Sequence, residues 1–295
     1  MHHHKYRLIV PFLFPALLLY AVFVLYPYVQ AFYNSLTRWR GVSSNKTFVW
    51  FENYEKLFND QIFITSLKHN AQMLVVLPIA TLSLALLFAG LFAQAGKGVR
   101  GGEFYRIVYF FPQVMSVVII GVLWQYIYNP RYGLLNGTLR ALGLDNLARS
   151  WLGDPSTVLW AIAAVIVWQS VGFYMVIFIA GMQSIPTSFY EAATLDGASR
   201  WTSFRDITLP LLWDHIRLAI VYIAIAALDL FTIVQVMTEG RPNHASDVVA
   251  RYMYDVAFTQ SQFGYASAIG VVLLVMTLIL SVITLRFTQR ERLEF

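Results

Sequence analysis

The stretch YEAATLDGASRWTSFRDITLPLL, residues 190–212, carries Glu191, Asp196, Arg200, Arg205 and Asp206 between two long apolar runs. It is too polar to cross a bilayer and too rich in helix formers to be an open loop. Ser188 and Glu191 have the spacing of a capping box, so Ser188 is expected to cap a helix and Glu191 to reach back to it. That helix runs to about Asp196, and Gly197 suits the left-handed residue that ends it. A second helix follows with Trp201, Phe204 and Ile207 on one face, until Pro210 ends or kinks it. The expected product is a helix–Gly–helix elbow, spanning roughly 184–213. Ala192 and Ala193 let a partner backbone come close. Two roles fit these residues: an amphipathic elbow resting on lipid headgroups, or a docking surface for a soluble subunit.

The flanks decide what the elbow joins. Of 295 residues, 58% are hydrophobic and 13% charged, where a soluble chain carries roughly 25% charged residues. Six apolar segments approach or exceed the roughly 20 residues that cross the hydrocarbon. They run at about Val10–Leu36, Leu67–Gln94, Phe104–Tyr128, Thr157–Met182, Ile216–Met237 and Gly264–Phe287, in one transmembrane domain covering 1–295. The class is an all-α, multi-pass membrane protein. The first run is read as a retained span: it is too long for a signal-peptide core and contains Pro11, Pro15 and Pro27. Six spans place both termini on one side. Basic residues at both termini and in the turn AGKGVRGGE make that side cytoplasmic, together with the elbow, although the opposite loops also carry cations. The net charge of +5 fits lipid-facing loops better than nucleic acid.

Several chemistries are excluded. No cysteine is present, so thiolate metal sites and disulfides are impossible. GLFAQAGKGVR superficially suggests a phosphate loop, but Gly90 to Gly96 is one residue too long and Lys97 precedes Gly98 instead of Ser or Thr. This chain is expected to bind no ATP, metal or other cofactor. His69, His215 and His244 lack paired ligand spacing, and no nucleophile–base motif is legible. The chain is expected to be no enzyme.

Asp229, near the middle of the fifth run, is the one acid deep in a span. A carboxylate there needs a partner or a wet cavity. It is either a helix-packing group or an acceptor for solute hydroxyls. Trp124, Gln125, Trp168, Gln169, Phe173 and Tyr174 cluster toward spans three and four. They fit an interfacial aromatic belt, or a route where sugar rings stack on aromatics and amides bind hydroxyls.

The elbow also resembles a family motif. Glu191, Ala192, Ala193, Asp196, Gly197, Ala198, Ile207, Leu209 and Pro210 fill the EAA motif of permease subunits of binding-protein-dependent ABC importers, and Phe204 lies within it. PFLFPALLLYAVFVLYPYVQAFYNSL, ENYEKLF, VLWQYIYNPRYGLLN and FGYASAIGVVL are similar to segments of the MalF/UgpA-like carbohydrate branch. Two departures lie near the expected solute route. Gly172 stands where the family usually has proline, and Glu239-Gly240-Arg241 where it often has three glycines. The resemblance implies a type I importer permease fold, with the elbow as the coupling helix that fits a cleft on a cytoplasmic ATPase. It implies a second homologous permease, two ATPases using ATP and Mg, and an extracytoplasmic solute-binding protein. It implies a bacterial or archaeal inner membrane and a sugar or sugar-like solute. The alternative is an ion-coupled secondary transporter, which predicts carboxylates in several spans and inverted repeats.

Overall fold

The computed structural model of the chain describes residues 3–42, 45–95 and 102–287. The basic turn around Lys97 and Arg100, the phosphate-loop-like glycines after Gly90 and the cations beyond Phe287 lie outside them. Two compact units make up the chain: Met1–Ile64 with Tyr252–Met276, and Thr65–Arg251 with Thr277–Phe295.

In the first unit, α1 (His3–Tyr20) passes through one π-helical turn into α2 (Tyr26–Ser35). The stretch Pro11–Ser35 is long and apolar enough to cross a membrane, and no residue of its apolar window is buried. A short antiparallel ribbon follows, β1 (Thr37–Arg38) and β2 (Thr47–Phe48), then α3 (Glu52–Phe58), which coincides with the ENYEKLF segment. Asn53 closes the end of α2 by donating to the carbonyls of Ser35 (2.7 Å) and Thr37 (2.9 Å). These carbonyls have no partner in the helix beyond its last turn, and a buried amide supplies one.

Asp60 begins α4 (Gln61–Ala95). Its Oδ1 accepts the N–H groups of Ile62 (2.9 Å) and Phe63 (3.2 Å), which makes it the helix cap. Its Oδ2 accepts the hydroxyls of Tyr252 and Tyr265, both at 2.6 Å. Tyr252 belongs to α14 (Val249–Tyr254) and Tyr265 to α15 (Phe263–Phe287). One carboxylate therefore ties the starts of two apolar helices to α14. Partial burial pushes its pKa up, but the hydrogen bonds from Tyr252, Tyr265, Phe63 and Ile62 outweigh this and hold it below the ordinary 3.8.

The second unit has α8 (Val158–Gln183) at its centre: 56% of its apolar window is buried inside the chain, against 22% for α4. Around it lie α4, α5 (Gly102–Val114), α6 (Val117–Ile127), α12 (Trp213–Ala226) and α13 (Phe231–Met237). The core is built from Met73, Leu77, Ile162, Met175, Phe178, Leu212 and Val234. Gly172 lets α5 and α8 touch backbone to backbone, because a Cβ there would lie 1.8 Å from the Tyr109 carbonyl oxygen. This accounts for glycine at one of the two departures. Short α7 (Leu134–Ala141) lies between α6 and α8.

Two of the expected spans are not single helices. The third, Phe104–Tyr128, is α5 and α6 bent by 102°. Pro112 lacks an N–H to continue the ladder, α5 stops two residues later, and the extended backbone of Ser116 (ψ 136°) turns the chain. The fifth, Ile216–Met237, is α12 and α13 separated at Ala227–Leu230. Among the described residues four helices are long and apolar enough to span, or up to six if two bent pairs, Phe104–Val114 with Val117–Ile127 and Arg200–Leu211 with Trp213–Ala226, each make one crossing.

The Asp60 junction predicts an acid-dependent stability. Its folded pKa is depressed, so its contribution is complete above about 3.8 and is lost as pH falls through the lower folded value. Asp60→Ala should cost about 1–3 kcal/mol near neutral pH from the lost cap and tyrosine bonds. Thermal scans of the detergent-solubilised chain between pH 3 and pH 7 should show the difference from wild type shrinking toward the acid end. A constant difference would contradict an ionised hub.

Candidate functional site

The elbow is made of α9 (Thr187–Leu195), α10 (Arg200–Ser203), a π-helical turn Phe204–Thr208, and α11 (Leu209–Leu211), which leads into α12 after a 67° bend. The capping box expected at Ser188 and Glu191 does not form. Pro186 is the residue before the helix (φ −56°, ψ 134°), and no side chain caps it. Proline keeps Ile185 out of the helix, so the helix starts at Thr187 and Ser188 already lies inside it. Glu191 is consequently free: it is exposed and has no hydrogen-bond partner among the described residues. Ala192 beside it is exposed too, and Ala193 is half-buried.

The C-terminal end of α9 matches expectation. Gly197 has φ +77°, and a Cβ there would meet nothing within 4 Å, so the requirement for glycine is torsional and not steric. Gly197 N–H donates to the Thr194 carbonyl (3.1 Å) and Ala198 N–H to the Ala193 carbonyl (2.9 Å). This pair of bonds is a Schellman motif, with exposed Asp196 as the C-cap. Ser199 then caps the second arm, its Oγ accepting from Thr202 N–H at 3.1 Å.

One contact joins the two arms and another seats the second arm on α4. The Tyr190 hydroxyl meets Thr208 Oγ1 at 2.9 Å, and Thr208 is buried. Trp201 stacks on Phe204 (centroids 5.9 Å, 28°), and the Phe204 ring lies against Gly90 of α4. Pro210 follows the π turn; its missing N–H loosens the ladder where the turn widens. Leu209 packs on the core and Ile207 is half-buried. The Tyr190–Thr208 brace and the Ser199 cap were not anticipated. Both are hydroxyl contacts whose only sequence signal is the abundance of Ser and Thr around Gly197.

Asp229 does not sit at the centre of a continuous helix. It lies in the unwound Ala227–Leu230 stretch, exposed, and its carboxylate has no hydrogen-bond or ion-pair partner among the described residues. Unwinding frees backbone groups, and Asn70 of α4 answers for them. Its amide donates to the Ala227 carbonyl (2.9 Å) and accepts from Val249 N–H (2.8 Å), while the residue is 1% exposed. Asn70 was missed; its signal is a lone asparagine in an apolar run.

The groups of spans three and four separate into two kinds. Gln125 donates to the carbonyls of Val236 (2.7 Å) and Met237 (3.1 Å), so its amide hydrogens close the end of α13 instead of waiting for a hydroxyl. Trp124 meets Trp168 edge-on at 5.3 Å and Tyr128 at 5.1 Å, and the Tyr128 hydroxyl donates to the Ala161 carbonyl. Tyr174 is buried against Phe173 (5.2 Å). Trp168 and Phe173 remain exposed by more than a third, with half-buried Gln169 between them in sequence. No ring contact or hydrogen bond among the described residues joins Asp229 to these groups.

The loop after α13 explains the second departure. Glu239 and Gly240 both have positive φ (54° and 80°). A Cβ on Gly240 would lie 2.1 Å from Asp247 Oδ1. Asp247 is fully buried, paired with Arg251 (2.9 Å) and His244 (2.5 Å), and its carbonyl meets His69 Nδ1 at 2.8 Å. Two of the three scattered histidines thus converge on Asp247, His244 on its carboxylate and His69 on its main-chain carbonyl. No cluster suited to a metal ion occurs among the described residues.

Comparison with known proteins places these features. Residues 85–293 match the family model "Binding-protein-dependent transport system inner membrane component". The chain is 42% identical over 276 residues to the diacetylchitobiose uptake system permease protein NgcF of Streptomyces coelicolor, covering 91% of this chain and 78% of that protein. It is 40% identical over 292 residues to the probable ABC transporter permease protein YurN of Bacillus subtilis, covering 97% and 98%. A crystal structure of a bacterial ABC transporter that imports alginate superposes with a TM-score of 0.82 at 21% identity, over 97% of this chain and 96% of that one. The chain belongs to the binding-protein-dependent inner membrane permease family and has the type I importer permease fold. It is a multi-pass membrane protein, and the ion-coupled alternative falls away.

The elbow geometry orders a set of variants. Gly197→Asn should be tolerated, and Gly197→Val should cost about 1–2 kcal/mol or more by torsion alone. Tyr190→Phe should loosen the brace by about 1 kcal/mol. Glu191→Ala, no longer a cap, should leave elbow stability unchanged. Amide hydrogen exchange across 187–211 reads all four. Faster exchange in Glu191→Ala, or none in Gly197→Val, would contradict the structure described.

Proposed function

We propose, from that membership, that the chain is one of two permease subunits of an ABC importer carrying an oligosaccharide or sugar-like solute into the cell. The observation that carries the coupling role is the braced elbow: it presents Glu191, Ala192 and Asp196 without using them internally. A rigid short helix with a free carboxylate and small residues at its tip suits insertion into a cleft on a soluble ATPase. Ala193, Gly197, Ala198, Phe204, Ile207, Leu209 and Pro210 hold that tip and transmit its displacement into α12. Nucleotide-driven closure of two ATPases, using ATP and Mg, draws the elbows together and rocks the helices between inward- and outward-facing states. The chain itself performs no hydrolysis. An extracytoplasmic binding protein delivers the solute, and a second homologous permease completes the route. Both termini and the elbow lie in the cytoplasm of a bacterial or archaeal cell.

The sugar class draws support from the diacetylchitobiose uptake system to which the S. coelicolor relative belongs and from the alginate importer. Within this chain, Asp229 is an accepting carboxylate at an unwound point of a broken span, where transporter sites lie. With no partner among the described residues, a hydrated cavity is what offsets the cost of its charge. Trp168, Gln169 and Phe173 offer stacking and hydroxyl-binding surface. Trp124, Gln125 and Tyr174 support the route from behind, since their polar or apolar surfaces are already committed.

The complex should be purified with its binding protein and the retained ligand identified. Asp229→Asn and Asp229→Leu should both assemble and both lose uptake, Leu more than Asn, with the binding protein's own affinity unchanged. Full uptake by Asp229→Leu would remove the carboxylate from the route. Failure of both to assemble would make it a packing group against the second permease.

A further inference from the structure

Two cavities meet beneath the elbow. One, of about 540 Å³, has a polar wall: Gln183, Tyr190, Thr194, Arg200 and Ser203. The other, of about 240 Å³, is a groove between Leu86, Leu87 and Leu91 of α4 and Trp201 of the elbow. Gly90, Arg200 and Phe204 line both, so the polar and apolar chambers adjoin. Leu87, Leu91 and Trp201 are 55%, 60% and 67% exposed, so the groove opens outward instead of into the core. It lies at the end of the apolar window of α4, which closes at Phe92.

Charge distinguishes Arg200 from its neighbour. Arg205 is paired with Asp206 at 2.7 Å. Arg200 has no carboxylate in ion-pair reach among the described residues, although it stands at the wall the two chambers share. A guanidinium with hydroxyls around it recognises a phosphate oxygen. A leucine-lined groove directly beside it recognises hydrocarbon. A free anion would leave the groove empty, and an apolar protein segment would leave Arg200 unanswered. We propose that the two chambers form one site for an anionic phospholipid, its phosphate on Arg200 with Ser203 and Thr194 near it, and one acyl chain along Leu86, Leu87 and Leu91. The lipid fills the space between α4 and the elbow and props the second arm against the membrane span. This site is independent of the solute route and does not rest on the sugar reading.

The test uses the full-length chain reconstituted in nanodiscs of phosphatidylglycerol and phosphatidylcholine in equal parts, then released into mild detergent for native mass spectrometry. Wild type should retain one phosphatidylglycerol in preference to phosphatidylcholine. Arg200→Gln should reduce that preference about fivefold, the effect of one cation near an anionic surface. Leu91→Gln should weaken retention of both lipids. Arg205→Gln, which removes the same charge outside the cavities, should change nothing. Both Arg200 and Leu91 are exposed, so their variants fold. Equal loss in Arg205→Gln would mean diffuse attraction and overturn the site. Displacement of the lipid by inorganic phosphate would reduce it to a simple anion site. Unchanged retention in Arg200→Gln and Leu91→Gln, or a copurifying protein chain cross-linked at Leu91 with no lipid retained, would overturn it as well.

Discussion

In hydrocarbon a bare backbone N–H or C=O has no water to turn to, so each interruption of a helix must be satisfied from inside the protein. This chain interrupts its helices repeatedly, and a polar side chain answers at each interruption described here. Asn70 serves the break before α13 by bonding Ala227 and Val249 at once. Gln125 closes the far end of the same short helix. Asn53 closes α2, and Asp60 starts α4 while holding Tyr252 and Tyr265. Each is a single polar side chain set in apolar surroundings, and each replaces hydrogen bonds the helix itself gives up. Such groups cost free energy when unpaired and repay it only with full partners. That requirement makes the breaks defined joints with fixed geometry.

The elbow follows the same rule at the membrane surface. The Schellman bonds at Gly197 and the Ser199 cap satisfy the two helix ends that face each other across the turn. The Tyr190–Thr208 contact then sets one angle between the arms. Because these internal needs are met by other residues, Glu191 and Ala192 remain available to a partner. A lever transmits motion only if its joint does not absorb it, and a doubly capped, braced turn has little slack. The 67° bend after α11 joins the second arm to α12, and α12 ends at the unwound stretch that holds Asp229. The second arm of the elbow and the stretch that holds Asp229 thus flank the two ends of α12. Gly181 lets α8 approach this path closely, since a Cβ there would lie 2.6 Å from the Leu212 side chain.

Local features were legible in the sequence, and long-range ones were not. Gly197 could be read because a glycine after a helix-prone run has one common use there. The family motif located the elbow because its spacing is long. The start of α9 was misread, since Pro186 overrules a Ser188–Glu191 pattern that looks sufficient alone. The third span looked continuous because apolar composition carries no information on direction; Pro112 and Ser116 supply the bend. Asp229 looked helical because Ala, Leu and Ile around it favour helix, and the partner that makes unwinding affordable, Asn70, lies 157 residues away from the carbonyl it serves. Gln125 looked like a free amide for the same reason: its acceptors lie 111 and 112 residues further along.

The central claim is that the elbow tip docks a soluble ATPase. The chain has no cysteine, so a single Ala192→Cys is the one thiol this subunit brings to the assembled importer. A maleimide–benzophenone reagent attached to that thiol should, on illumination in membranes, join the position to an ATP-hydrolysing subunit, and the partner should shield it from a water-soluble maleimide. Equal maleimide labelling with and without the ATPase, no cross-linked product, and undiminished uptake would together contradict the account.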